Sequence, residues 1–171
     1  MDTFFEQIVA IRKGSKEIFG FIGIWFTALL LTFILLFVRI PVITSFSFLI
    51  IAGVIYGAFK LTTKFNIEYE YIITNGILDV DKIINKSSRK RILSLDLAKT
   101  SRIEKFNPAL LSNVNSKSVS VACNLDDENA YLMVIDGEKG PATYLVLSPD
   151  ERIKNAVIKF VPKFIANSAF K

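Results

Sequence analysis

The sequence contains no histidine and a single cysteine, Cys123, among its 171 residues. Without histidine, catalytic triads built on histidine, histidine general bases and histidine-ligated metals are excluded. A lone cysteine cannot form an intramolecular disulfide, which fits a reducing compartment. No P-loop, Gly-x-Ser-x-Gly or metal-binding motif occurs. We therefore expect no enzymatic activity, no cofactor, no metal and no small-molecule substrate, and an inert Cys123.

Charge is missing from two long stretches near the N-terminus. Residues 18–38 and 40–59 carry no charged side chain, and only Arg39 separates them. The whole chain is 51% hydrophobic, with a mean hydropathy of +0.43. Because roughly 20 apolar residues in a helix cross a bilayer, the sequence predicts transmembrane helices over 18–38 and 40–59, with Pro41 opening the second. The first run is longer than the apolar part of a signal peptide and lacks a cleavage site.

The basic residues around these stretches predict their orientation. Arg12, Lys13 and Lys16 precede the first stretch, and Lys60 and Lys64 follow the second. By the positive-inside rule, both termini are expected in the cytoplasm. Neither stretch contains an ionisable residue of the kind that marks a transport path, so the pair alone is not expected to transport anything.

Residues 1–17 are interpreted as an amphipathic juxtamembrane segment. Over residues 3–13, a helix would place Phe4, Ile8 and Ile11 on one face, and Gly14 would end it. Two interpretations stay open. The apolar face lies on the membrane surface, or it packs on a cytoplasmic domain.

Gly53 and Gly57 form a G-x-x-x-G pattern in the second stretch. Small residues at this spacing let helix backbones approach closely. The pattern favours packing of the two helices on each other. The alternative is a face that joins two copies of the chain.

From residue 65 onward, short β-type runs alternate with turns, and one amphipathic helix follows them. Ser148, Pro149 and Glu151 have the spacing of a helix-capping box, and Pro162 is expected to end the helix near Val161. The apolar stripe of this helix is Ile153, Val157, Phe160, Val161 and Phe164. The predicted strands span 66–74, 77–84, 89–95, 100–106, 117–123, 130–136 and 142–147.

Seven strands followed by one helix, together with the segment "YIITNGILDV", resemble the bacterial pleckstrin-homology-like (PH-like) domains over residues 66–165. Two membrane helices directly ahead of such a domain recur among uncharacterised bacterial membrane proteins. The resemblance implies a seven-stranded barrel or sandwich of two nearly orthogonal sheets, with the C-terminal helix capping one end. The expected fold is a membrane-anchored α+β protein of the bacterial inner membrane, with residues 65–171 forming a cytoplasmic PH-like domain.

The Asn75-Gly76 pair predicts a two-residue hairpin turn that places Thr74 opposite Ile77. That register puts four carboxylates on one face of the hairpin, away from the core. A four-residue loop over 85–88 would then place Lys90 diagonal to Asp81. Carboxylates on a flat sheet do not converge, so charge pairing is favoured over a metal site. The four residues are Glu68, Glu70, Asp79 and Asp81.

A basic run at residues 86–91 follows this hairpin. Such clusters are attracted to anionic lipid headgroups, by about 1 kcal/mol per basic residue near the surface. The alternative is a solvated strand end in which Lys90 balances the acidic face. No motif for nucleic-acid recognition accompanies the charge. The candidate lipid-contacting residues are Lys86, Arg89, Lys90 and Arg91.

The sequence thus predicts a non-catalytic interaction or scaffold protein that presents its PH-like domain at the cytoplasmic face of the membrane. Its expected partners are membrane lipids along the two helices, and a protein or a second copy of the chain. The alternative function is a sensor or binder of anionic lipid at the inner leaflet.

Overall fold

The computed structural model describes residues 3–37, 39–112, 114–137 and 140–170, and these fall into two compact units. The first unit contains the described residues up to Ile11, then Glu68–Ile83, and the described residues from Ser88 onward. The second unit contains Arg12–Ile67 and Ile84–Ser87. The chain therefore begins in the first unit, leaves it for the second, and returns. The predicted limits at residues 1, 38 and 171 lie outside the described residues.

The second unit consists mainly of two helices, α1 (Ser15–Phe37) and α2 (Pro41–Thr63). Each has 23 residues and is long and apolar enough to cross a membrane. Only 6% of the most apolar window of each helix is buried, so the apolar side chains face outward rather than into a protein core. Pro41 occupies the start of α2, as predicted. Within the helices, Thr27 and Thr32 donate to carbonyls four residues earlier, at 2.8 Å, which satisfies their hydroxyls locally.

Among the described residues, the first unit contains eight strands in two four-stranded sheets. The first sheet has the order β1-β2-β3-β4, and the second has the order β5-β7-β8-β6, with β6 parallel to β8. Seven of the strands lie within two residues of their predicted limits, but the eighth strand, β1, precedes the helices. The strands are β1 (Phe4–Ala10), β2 (Ile67–Thr74), β3 (Ile77–Ile84), β4 (Ser88–Asp96), β5 (Thr100–Lys105), β6 (Val119–Val121), β7 (Tyr131–Ile135) and β8 (Thr143–Leu147).

The predicted amphipathic helix at the N-terminus is wrong, because Phe4–Ala10 is the edge strand β1. It runs antiparallel to β2, and Phe5 lies opposite Ile73. Its side chains alternate between exposed and half-buried, with Phe5, Gln7 and Val9 inward. The polar Gln7 interrupts this inward face and conceals the two-residue period. Pairing with the edge of β2 therefore overrides a local pattern that also fits a helix. The predicted domain, residues 65–171, therefore omits strand β1, which belongs to the same sheet.

Gln7 connects β1 to the junction between β8 and the next helix. Its side-chain Nε2 donates to the carbonyl of Ser148 at 3.0 Å, and its Oε1 accepts from the backbone N–H of Asp150 at 2.8 Å. Nearby, Asn124 Nδ2 donates to the carbonyl of Ala10 at 3.1 Å. The polar residue that obscured the strand pattern thus satisfies two backbone groups of a distant segment.

The core lies between the two sheets and α3 (Glu151–Phe160). Tyr71 is completely buried there, and its hydroxyl donates to the carbonyl of Ala122 at 2.7 Å and accepts from the N–H of Ser148 at 3.2 Å. Because the Tyr71 hydroxyl both donates and accepts a hydrogen bond, its burial leaves no polar group unpaired. Other members of this core include Ile73, Leu78, Val80, Met133, Leu145, Ile153 and Val157.

Helix α3 differs from its prediction at two positions. Its N-cap is Asp150, whose side chain accepts from the N–H of Ile153 at 2.8 Å. Ser148 instead donates its hydroxyl to Asp127 at 2.7 Å. The helix ends at Phe160, before Pro162, as predicted, and a short helix α4 (Lys163–Ala166) follows. This break turns Phe164 away from the apolar stripe, and the residue is 71% exposed.

Replacing Gln7 with Ala should lower the free energy of unfolding by about 1–3 kcal/mol, because the Ser148 carbonyl and the Asp150 N–H lose their partner. The measurement is thermal or denaturant unfolding of the full chain in detergent. Ile8→Ala, an apolar truncation at a 52% exposed position of the same strand, is the control. Equal effects of the two substitutions would contradict a specific role for Gln7.

Candidate functional site

The outward face of the first sheet gathers carboxylates from three strands. Strand alternation directs Tyr71 and Ile73 of β2 into the core, and therefore Glu70 to the opposite face. Although it lies on that face, Glu70 has no exposed surface, and Asp81 of β3 is only 4% exposed. Buried carboxylates require charged or hydrogen-bonding partners. The identity of these partners determines what the face can do.

Two arginines of β4 supply the partners. Arg89 Nη2 lies 2.9 Å from Glu70 Oε1. Arg91 contacts two carboxylates, with Nη1 2.8 Å from Asp79 Oδ2 and Nε 3.0 Å from Asp81 Oδ1. Both arginine side chains remain about half exposed. Glu70, Asp79 and Asp81 thus each pair with an arginine at the rim of the face.

The predicted partner, Lys90, is therefore wrong. Strand β4 begins at Ser88, after a turn of three residues, whereas the prediction used a four-residue loop and began the strand at Arg89. The difference is confined to the start of β4, because Leu93 and Leu95 further along the strand pack against the core. The inferred charge compensation is present, but it is made by Arg89 and Arg91.

Glu6 of β1 is a member of this face that the sequence interpretation missed, because that segment was assigned to a helix. Burial raises the pKa of the Glu70 carboxyl above its ordinary value, and a side-chain hydrogen bond with Glu6 raises the pKa further, while Arg89 opposes both effects. A neighbouring carboxyl group disfavours a second negative charge, so Glu70 keeps its proton to a higher pH than an isolated glutamate does.

A metal site on this face is the alternative to charge pairing. Within the described part of the chain, no group of three or more histidine, cysteine, aspartate or glutamate side chains is arranged to hold a metal ion. The carboxylate oxygens of Glu70, Asp79 and Asp81 point to separate guanidinium nitrogens instead of to a common point. The arrangement suits charge pairing.

The basic residues at 86–91 fall into two groups with different surroundings. Arg89 and Arg91 pair with carboxylates, whereas Lys86 and Lys90 are exposed. Lys86 lies in the turn between β3 and β4, where Ser87 N–H donates to the carbonyl of Ile84 at 3.2 Å. The lysines therefore remain as candidates for contact with an external anion.

Gly53 and Gly57 line an apolar groove of about 500 Å³ between α1 and α2, together with Gly20, Gly23 and Ala28. A methyl group added to Gly53 or Gly57 would meet no described atom within 4 Å. The contact between α1 and α2 therefore does not depend on these two glycines. Their use by a second copy of the chain stays a prediction.

A family model for the bacterial PH-like domain (DUF6106) matches residues 1–167. The chain belongs to this family. The match confirms the resemblance seen in the strand order, and it begins at residue 1, so the family pattern includes β1 and both apolar helices. Comparison with curated proteins and with solved structures finds no significant match.

The raised pKa of Glu70 predicts a pH dependence of stability in this bacterial PH-like domain. The folded chain keeps a proton on Glu70 at pH values where the unfolded chain has lost it, so this contribution is complete below the ordinary glutamate pKa and is lost as the pH rises through the raised value. Glu70→Gln imitates the protonated side chain. Relative to this variant, the wild type should lose stability as the pH rises.

The measurement is the unfolding midpoint of the full chain at several pH values, for wild type and Glu70→Gln. Glu128→Gln, the same chemical change at an exposed loop residue, is the control and should follow the wild type. Parallel pH profiles for wild type and Glu70→Gln would contradict a raised pKa of Glu70.

Proposed function

We propose that this chain is a membrane-anchored, non-catalytic interaction protein, whose two helices span the bacterial plasma membrane and whose PH-like domain lies at the cytoplasmic face. The observation that carries the proposal is the position of the helices in the fold. Strand β1 precedes α1, strand β2 follows α2, and the two strands pair directly. Paired strands lie on one side of a membrane, so two intervening helices that cross it do so together, as a hairpin.

The charges at the helix ends support the cytoplasmic side. Arg12, Lys13, Lys16, Lys60 and Lys64 flank the ends that join the strands, whereas the opposite turn carries Arg39 alone. An excess of basic residues marks the cytoplasmic end of a membrane helix. The strand pairing and the charge distribution are independent arguments, and they agree.

The composition of the domain supports binding instead of catalysis. Burial raises the pKa of the Cys123 thiol to about 12, so its nucleophilic thiolate is scarce at neutral pH. Glu70, Asp79 and Asp81 of the acidic face already form ion pairs with Arg89 and Arg91. In contrast, Phe4 (61% exposed) and Ile8 (52% exposed) place two large apolar side chains on the outward face of the edge strand β1, and apolar surface on an edge strand is available to a partner.

Labelling of single cysteines tests the orientation. With a membrane-impermeant maleimide on intact cells, Arg39→Cys should be labelled, and Glu128→Cys should be labelled only after lysis. Native Cys123 is 4% exposed and serves as the unreactive internal control. Labelling of Glu128→Cys in intact cells, or protection of Arg39→Cys, would overturn the proposed topology.

The mass of the full chain in detergent tests whether its partner is a second copy. If two copies meet at the groove, Gly57→Leu should convert a dimer to a monomer by filling the groove, since the new side chain has open space beside α1. Phe48→Leu, at an 86% exposed helix position, is the control and should not change the mass. A monomeric wild type, or a dimer that tolerates Gly57→Leu, would favour a different protein as the partner.

A second candidate role is contact with anionic lipid through residues 86–91. The ion pairs reduce the number of basic residues available for this contact, because Arg89 and Arg91 already pair with Glu70, Asp79 and Asp81. The exposed lysines, Lys86 and Lys90, are the residues that support this role.

A further inference from the structure

The turn between β3 and β4 places a lysine where the backbone favours glycine. Asn85 and Lys86 have φ values of 51° and 54°, in the left-handed region. The turn between β2 and β3 has the same pair of positive φ angles, at Asn75 (48°) and Gly76 (89°). Glycine is favoured at such positions, because glycine alone adopts positive φ without a steric penalty. The β2–β3 turn has a glycine, Gly76, at the second of these positions, whereas the β3–β4 turn has Lys86 there.

Hydrogen bonds hold this turn at the end of α2. Asn85 N–H donates to the carbonyl of Asn66 at 2.8 Å, and Asn66 Nδ2 donates to Asn85 Oδ1 at 3.3 Å. Asn66 in turn donates its N–H to Thr63, the last residue of α2, at 3.2 Å. The turn is accordingly part of the unit that contains the helices. Lys86 is thus fixed close to the level at which α2 ends.

The start of α1 lies at the same level. The ring of Phe65, two residues after the end of α2, approaches Gly20 in the second turn of α1, and a methyl group on Gly20 would meet the Phe65 ring at 3.1 Å. Lys13 and Lys60 lie over aromatic rings of the two helices, with Nζ 5.6 Å from the Phe21 centroid and 5.8 Å from the Tyr56 centroid. Three segments that are distant in sequence therefore bring basic residues to one end of the helix pair.

We propose that these basic residues form a collar that binds the anionic headgroups of phospholipids in the cytoplasmic leaflet, with Lys86 as the contact contributed by the β3–β4 turn. The inference rests on the proposed membrane insertion and adds a specific lipid class. The collar consists of Arg12, Lys13, Lys16, Lys60, Lys64 and Lys86.

Charge complementarity identifies the occupant. Within Arg12–Ile67 and Ile84–Ser87, Glu17 is the single acidic residue, whereas the collar supplies six basic ones. Clusters of basic residues immediately beside a membrane helix are attracted to anionic headgroups. At the end of two membrane-spanning helices, lipid headgroups are the anions present at the highest concentration. Lys86 gains access to them through a backbone conformation that lysine otherwise avoids.

Lys86→Gly separates this role from folding. Glycine suits the positive φ, so the variant should unfold at the same temperature as the wild type or at a higher one. Titration of the full chain in detergent with phosphatidylglycerol, followed by native mass spectrometry, gives the affinity for anionic lipid. We expect Lys86→Gly to weaken that affinity roughly fivefold, the effect of one basic residue near the surface, and to leave phosphatidylcholine binding unchanged.

Two further variants make the test specific. Lys86→Arg should retain the affinity for phosphatidylglycerol, because the charge is kept. Lys117→Gln removes an equal charge from an exposed position outside the collar and should behave as the wild type. An unchanged affinity in Lys86→Gly would overturn the collar, as would an equal loss in Lys117→Gln or an equal loss of phosphatidylcholine binding. The labelling of Arg39→Cys reports membrane insertion separately, so failure of the collar is distinguishable from failure of the proposed function.

Discussion

The pairing of β1 with β2 connects every other feature of this structure. Seven residue pairs, from Phe4 with Thr74 to Ala10 with Glu68, join strands that are separated in sequence by both apolar helices. This pairing completes the first sheet, places Glu6 beside the buried Glu70, and allows Gln7 to satisfy the backbone at Ser148 and Asp150. It also places Ala10 and Glu68, which lie on either side of the two helices in the sequence, opposite each other. A seven-residue strand thus constrains the sheet, the charged face and the ends of the helical segment.

The charged residues divide into two groups with different physical roles. Arg89 and Arg91 neutralise carboxylates that the sheet has withdrawn from water, and a buried carboxylate without a counter-charge would be costly. Lys86, in contrast, lies exposed in a turn beside the end of α2. A basic run that looks uniform in sequence therefore contains structural arginines and an outward-facing lysine. The arginine fork can pair with two carboxylates at once, as Arg91 does, which a lysine ammonium does less well.

Much of the fold could be predicted from sequence because its signals are local. The two apolar stretches, the seven later strands and the helix break at Pro162 each follow from composition, alternation or a single residue type. The errors occur where a distant segment decides the outcome. The local pattern of Phe4–Ala10 fits a helix, but pairing with β2 makes it a strand. Gln7 interrupts the apolar pattern because its side chain bonds the distant backbone of Ser148 and Asp150. The exchange of Lys90 for Arg89 and Arg91 lies at the start of β4, beside a turn whose length the sequence does not determine.

The interruption of the first sheet by two helices also has a consequence for biosynthesis. Strand β1 leaves the ribosome before α1 and α2, and its partner β2 is made only after both helices. The sheet cannot close until the apolar hairpin has been synthesised, so the domain is completed last, whatever the stability of its other strands. A chain whose hairpin is misplaced would keep β1 away from β2 and leave the β2 edge unpaired, a state that invites aggregation and removal. The order of segments in the gene thus links completion of the domain to correct placement of its helices.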